Sequence, residues 1–430
     1  MSLLATALVM ARIFRSFANP ATLASMWWLL CIFLSFALDH GHVPVREETL
    51  LILIGSAQAF AFGVVLGSLL KTNQGALSAD RDWVNSVLNA GKLNALVIGV
   101  VLGSLAFSAY GVSSGYQALL SGDAVQYRNE YYETGGSVAY GNVYLVVLRD
   151  LFFKPASYVL LVVAIIGMLE SRNTPRSRWT FAASLCSLAM YDAAQLGRTG
   201  LVNCAFLAIS TVIFWRFGRR AGAAKRGVPF SAIWPALIAC VALVLVLNVI
   251  SVGRQGLSIV DDAAKLFSYF TIGIALFDQR TLVVPSEFNG FVYTVGGLYQ
   301  LINIVTRRIG FELLPSKAMD LQEFVLIGSD VSANALYTWN IAFFADLGVL
   351  GCIILPLIFG VVAGSIYRGW VLGWRPSSLV LLSVVMTYVF AGVLEWRLMW
   401  ADQVVLVMMA WGTTLGGKRR ARQNAARPCQ

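Results

Sequence analysis

The sequence predicts an all-α polytopic integral membrane protein with about ten spanning helices, and up to twelve. Of its 430 residues, 58% are hydrophobic and only 13% charged, and mean hydropathy is +0.72. The apolar residues fall in long runs, many close to the roughly 20 residues that a helix needs to cross a bilayer. Such runs are helical because hydrocarbon offers no hydrogen-bond partner to an open backbone. Charge fixes the orientation. With the N-terminus inside, the cytoplasmic segments hold 20 of the 32 Lys and Arg, clustered in short loops, against 12 outside. The positive-inside rule then puts both termini in the cytoplasm.

The elements follow in chain order. Ser2–Phe17 is apolar before Arg12 and Arg15; too short to span, it is expected to lie along the cytoplasmic interface. Span one is about Ala21–Leu38, and a short loop from Asp39 to Glu48 leads to span two, about Thr49–Leu70. Lys71, Arg81 and Lys92 mark the next inner loop, and span three lies near Leu93–Tyr116. An outer loop with Tyr127, Arg128, Tyr131 and Tyr132 follows. Tyr140–Leu148 is apolar but is followed by Arg149, Asp150 and Lys154, which places it at the outer interface and starts span four near Leu151–Leu169. Arg172, Arg176 and Arg178 precede span five (about Trp179–Leu196), which meets span six (about Leu201–Phe217) at Gly197-Arg198-Thr199-Gly200. The glycines allow a sharp turn that presents the arginine at a helix end. A dense basic loop, Arg216 to Arg226, leads to span seven, Pro229–Ile250.

Residues 251–335 form a large polar stretch, expected outside the membrane. Within it, Leu266–Phe277 and Phe288–Val305 are apolar but short or interrupted, and are expected to be interfacial or re-entrant helices. If both span, the count becomes twelve and the orientation is unchanged. Spans eight to ten lie near Leu347–Tyr367, Ser378–Glu395 and Met399–Leu415, and residues 416–430 are a basic cytoplasmic tail. The chain is thus expected to be one membrane domain over residues 1–430. No early basic stretch with a short apolar core and a small-residue cleavage site stands out, so no removed signal peptide is expected.

Composition also excludes. The net charge of +10 is accounted for by topology determinants, so no nucleic-acid partner is expected. The six cysteines include no C-x-x-C pair, and five lie in apolar runs, which argues against disulfide or zinc frameworks. His40 and His42, beside Asp39, Glu47 and Glu48, are the only histidines. A solvated loop explains them better than a metal site, and a histidine dyad elsewhere is ruled out. P-loop, H-E-x-x-H and G-x-S-x-G motifs are missing; no metal or cofactor is expected.

The outer arginines are more informative. Arg128, Arg198, Arg254 and Arg280 fall on the side where positive charge is not a topology signal. The guanidinium presents a rigid fork suited to phosphate and stays charged in a partly dry site. The set therefore points to an anionic lipid headgroup, although pairing with Glu130, Asp261 and Asp278 is the alternative for any one of them. Tyr127, Tyr269 and Tyr337 add outer aromatics that could pack on sugars or form an interface belt. Asp192 and Gln195 in span five are costly in lipid and expected to face the bundle interior. Glu395, Arg397 and Asp402 are expected to be a structural ion-pair cluster.

One further pattern is specific. Asn334-Ala-Leu-Tyr337-Thr338, then Asp346-Leu-Gly348-Val-Leu-Gly351 and Phe359-Gly360, resembles the C-terminal signature of the Wzy-type O-antigen (oligosaccharide repeat-unit) polymerases. Gly197-Arg198-Thr199, Tyr127-Arg128 and Phe267-Ser-Tyr-Phe-Thr-Ile-Gly273 resemble that family's arginine corner, third-loop Y-R and aromatic outer helix. The resemblance covers most of the chain in layout and about 40 residues in motif. Leu347 stands where the family usually has Phe, and no outer arginine shows the R-x10-G spacing of some members.

The resemblance implies a multi-pass protein of the bacterial inner membrane. It implies an activity that joins glycan repeat units carried on undecaprenyl pyrophosphate at the periplasmic face. Its partners would be lipid-linked glycan donor and acceptor, the bilayer, and a chain-length regulator and flippase of the same pathway. Pyrophosphate leaves readily, so positive charge suffices to stabilise it. Arg198, Arg254 and Arg280 would supply that charge, and Arg128, Tyr127, Tyr269, Asn334, Tyr337 and Thr338 would bind substrate. Glu287, Glu323, Asp330 and Asp346 are candidate bases for the incoming hydroxyl; of these, Glu323 and Asp346 are carried forward, and Asp346 could instead orient its loop. A ligase of similar topology is the nearest rival, but ligases generally have a histidine in the large outer loop and this one has none. A flippase would be expected to show internal repeats and intramembrane charge.

Overall fold

The structure, a computed structural model, describes residues 1–37, 44–70, 91–123, 126–127, 130–131, 136–169, 175–197, 199–217, 259–282, 288, 290–306, 310–311, 325–327, 332–333, 338–373 and 376–425. Among these residues the secondary structure is helical apart from one antiparallel pair of two-residue strands, Val325–Leu326 with Ser332–Ala333. Among the described residues, six helices are long and apolar enough to cross a membrane: Pro20–Ala37, Glu47–Leu69, Val97–Ala118, Val143–Leu169, Thr199–Phe217 and Trp339–Val371. The expected span seven, Pro229–Ile250, lies outside the described residues.

The chain forms two compact units. The first comprises residues 1–73, 265–373 and 385–404. It holds α1 (Ser2–Phe14), α2 (Pro20–Ala37) and α3 (Glu47–Leu69), most of α4 (Ile259–Thr281), α5 (Gly296–Thr306) and α6 (Trp339–Gly373). In α1, Leu3, Ala7 and Ala11 recur four apart and are buried, whereas Leu4, Leu8, Val9 and Ile13 are exposed. Leu3 and two alanines thus face the protein and the other large apolar residues face outward, as for a helix embedded at a lipid interface. Asn19 accepts from the backbone N–H of Thr22 at 2.9 Å and caps α2.

The principal contact of this unit joins α3 to α6. Gly63 and Gly67 on α3 face Gly360 and Gly364 on α6. A Cβ at Gly63 would meet the carbonyl of Leu357, one at Gly67 that of Val361, one at Gly360 that of Phe60 and one at Gly364 that of Val64. Two small-xxx-small faces therefore bring backbone against backbone. Around them, Trp28, Phe60, Trp339, Phe343, Phe359 and Trp396 form a continuous cluster of rings.

The helix α6 is not straight. Gly348 has φ 62 and ψ −150, a conformation essentially confined to glycine. Asn340 and Cys352 are twelve residues apart, roughly 18 Å along a regular helix, yet the Cys352 thiol donates to the Asn340 carbonyl at 3.5 Å. A Cβ on Gly351 would meet the carbonyl of Phe343. The chain therefore doubles back at Gly348, giving a short arm (339–347) and a long arm (349–373). The expected span eight begins at the reversal, and the short arm is an additional half-helix.

The second unit comprises residues 74–264, 374–384 and 405–430. It holds α7 (Gly91–Ser121), the short α8 (Ser137–Tyr140) and α9 (Val143–Leu148), α10 (Lys154–Leu169), α11 (Pro175–Ala194) and α12 (Thr199–Phe217). Here α11 packs on α7 and α10, and α12 packs on both α10 and α11. The apolar run before Arg149 is continuous with the helix that follows it. A π-helical turn, Arg149–Phe153, joins α9 to α10 without a break. The helix survives its charges because Arg149 pairs with Asp150, Nε to Oδ1 at 2.8 Å and Nη2 to Oδ2 at 2.5 Å. Two further helices, α13 (Pro376–Ala391) and α14 (Ala401–Ala425), have residues in both units.

Candidate functional site

The reversal at Gly348 positions Asp346, which is fully buried at the end of the short arm. Its two oxygens accept from the backbone N–H groups of Tyr293 (3.3 Å) and Thr294 (2.7 Å). Those residues belong to the turns that lead into α5. The same segment is held from its other side: the indole of Trp396 donates to the Thr294 carbonyl at 2.6 Å, and Ala401 N–H donates to Gln300 Oε1 at 3.0 Å. Gly297 lies against the Trp400 carbonyl so closely that a Cβ would clash. Asp346 is therefore an anchor for backbone, with both carboxylate oxygens engaged.

A second polar group lies at the C-terminal end of α4. Asp278 is buried and Arg46 is 38% exposed. Arg46 donates from Nε to Asp278 Oδ1 at 2.9 Å, and from Nη2 to the Asp278 carbonyl (2.8 Å) and Thr281 Oγ1 (2.9 Å). Thr49 donates to the same carboxylate oxygen at 2.5 Å. The arginine thus occupies the negative end of α4 and ties it to the start of α3. Arg280, two residues beyond Asp278, is 9% exposed. A third group is formed in the turn Arg397–Met399, where buried Arg397 donates from Nη1 to Glu395 Oε1 and Trp400 Nε1 donates to Glu395 Oε2 at 3.3 Å.

In the second unit, Asp192 is buried and accepts from Gly200 N–H (3.0 Å), Leu201 N–H (2.7 Å) and Gln195 Nε2 (2.9 Å). It caps the start of α12 across the tight corner. A Cβ on Gly200 would come within 2.6 Å of Asp192 Oδ1, so glycine is required there. Tyr127 donates to the Ala194 carbonyl at 2.8 Å at the same corner. Burial pushes its phenol up to about 12. Nearby, Arg149 donates from Nη1 to Tyr131 and stacks over the Tyr140 ring with 4.6 Å to its centroid.

Of the residues singled out from the sequence, Asp346, Thr338 and Arg280 lie in the first unit, the first two fully buried. Tyr127 lies in the second. Tyr269 falls within α4. Arg128, Arg198, Arg254, Glu323, Asn334 and Tyr337 lie outside the described residues, as do His40 and His42. Sequence reasoning gave Arg46 and Arg149 no functional part; the signal in each case was a cation directly beside an apolar run. Among the described residues, no group of three or more His, Cys, Asp or Glu side chains is placed to hold a metal ion. No family model matches the chain, and neither does any curated protein or solved structure.

Proposed function

We propose that this protein is a membrane glycosyltransferase of the polymerase type, joining undecaprenyl-pyrophosphate-linked oligosaccharide repeat units into a surface polysaccharide. The product would be O-antigen, capsule or exopolysaccharide. The proposed topology is ten spans with both termini inside, in the bacterial inner membrane, with residues 251–335 on the periplasmic side. The observation that carries this reading is the use made of the Asp346–Gly351 stretch. The residues that bear the resemblance form a glycine-dependent helix reversal and bury a carboxylate that holds the outer segment at Tyr293 and Thr294. Arg280 is buried in the same unit.

In this mechanism the donor's anomeric carbon loses pyrophosphate as the acceptor's sugar hydroxyl attacks it. Arg198, Arg254 and Arg280 offset the charge that develops on the leaving oxygens. A carboxylate, with Glu323 the leading candidate once Asp346 is committed to backbone amides, takes the hydroxyl proton. Segments closing over both lipids exclude water and favour transfer over hydrolysis. No cofactor is required by this chemistry.

A second reading is favoured by one observation. The broken helix at Gly348 is a device that lipid and solute transporters use at their binding sites, so a flippase of lipid-linked glycan is the competing function. One assay separates the two. Purified protein is given short lipid-pyrophosphate-linked repeat units, and Arg198→Ala and Arg280→Ala are run beside it. A ladder of longer lipid-linked glycans, lost in the variants, supports polymerisation. Movement of intact units between liposome leaflets with no ladder overturns it in favour of transport.

A further inference from the structure

Arg397 is the most isolated buried cation among the described residues. Its side chain is 4% exposed. Nη1 donates to Glu395, but neither Nε nor Nη2 has an acceptor among the described residues. These two N–H groups share one edge of the planar guanidinium. They form the fork that takes two oxygens of a carboxylate or phosphate side-on. Arg149 of the same chain shows that edge filled, with Nε and Nη2 on the two oxygens of Asp150. Burying such donors without acceptors is costly, and Glu395 turns the guanidinium so that this edge faces away from it.

The surroundings narrow the ligand. The turn leads directly into α14, whose first backbone N–H groups contribute partial positive charge. Glu395 and Asp402, in the first turn of α14, offset the guanidinium and the helix end. The turn follows the apolar helix Pro376–Ala391, and the ends of such helices lie at the depth of lipid headgroups. Glu395, on the other side of the guanidinium's pairing, is 18% exposed.

We propose that the Nε and Nη2 edge of Arg397 binds a phosphate oxyanion carried on a lipid. Two sources share that chemistry: a phospholipid headgroup and the diphosphate bridge of a lipid-linked glycan. The inference stands on the side-chain geometry and does not depend on the polymerase reading.

The test uses the full chain, purified in detergent and stripped of lipid. It is titrated with short-chain phosphatidylglycerol, with a short prenyl-diphosphate-sugar and with diacylglycerol, and the bound fraction is read by native mass spectrometry. At least one phosphate-bearing probe is expected to bind at least about tenfold more tightly than diacylglycerol. Arg397→Lys, which keeps the charge but loses the fork, is expected to weaken that binding about tenfold. Arg397→Met is the stronger variant; should it not be monodisperse, the lysine variant carries the test. Preference for phosphatidylglycerol identifies a bound membrane lipid, and preference for the prenyl probe identifies substrate. Equal binding by wild type and a monodisperse Arg397→Lys, or equal binding of diacylglycerol, overturns the proposal. A chain that makes glycan ladders while its Arg397 variants bind unchanged overturns this inference alone. One that binds at Arg397 but makes no ladder overturns the polymerase reading alone.

Discussion

The carboxylate of Asp346 accepts the backbone N–H of Thr294 at 2.7 Å, joining the short arm of α6 to the segment that enters α5. The same oxygen pair also takes the Tyr293 N–H, so one side chain fixes two consecutive amides. Asparagine can replace only one of these acceptors. Asp346→Ala is expected to lower stability by about 3 kcal/mol, because two amides and the reversal lose a charged partner. Asp346→Asn should cost about half as much and leave glycan-ladder activity within about tenfold of wild type. Thermal unfolding in detergent beside the ladder assay checks both. A total loss of turnover in a stable Asp346→Asn would make this residue the base instead.

Gly348 is the next test of the same device. Its φ of 62 with ψ −150 is closed to residues with a Cβ, so Gly348→Ala is expected to cost about 1–3 kcal/mol. Circular dichroism melts of the purified variant measure it. A melt unchanged from wild type would show that the reversal does not need glycine.

The Arg46, Thr49 and Asp278 group gives a ranking. Thr49 is buried and donates to the Asp278 carboxylate, whereas Arg46 is partly exposed and screened. Thr49→Val should therefore cost about 2 kcal/mol and Arg46→Met about 1 kcal/mol. The reverse order in chemical denaturation would place the weight on the ion pair.

Alkaline titration probes the corner at Ala194. The Tyr127 phenol is raised from 10.0 to about 12, so the folded state favours its neutral form. The stability this contributes is full below pH 10 and is lost as pH rises towards 12. Tyr127→Phe also removes the hydrogen bond to the Ala194 carbonyl, so it should be less stable at neutral pH and show a shallower fall across that window. An identical alkaline fall in both proteins would contradict this assignment.

Much of the helical layout was legible because apolar runs are long and bounded by charge. The details that failed were local compensations. Arg149 and Asp150 looked like the end of a run, yet pairing cancels their charge and the helix continues through a π turn. The short arm was hidden because Asn340 and Asp346 interrupt its apolar residues, although both are fully buried. Asp192 was expected to face the interior, and the structure adds its purpose, capping α12 through Gly200 and Leu201. Periodicity carries no signal for a carboxylate whose partners are backbone amides.

The glycine faces of α3 and α6 have a mechanical consequence. Where Gly63 and Gly67 meet Gly360 and Gly364, no side chain lies between the two backbones to change rotamer or to let one helix slide. The pair behaves as a single rigid beam, braced further by Ser365 donating to the Gly67 carbonyl at 3.2 Å. A bend within α6 would therefore centre on Gly348, the glycine from which the short arm hangs, and leave this pair intact.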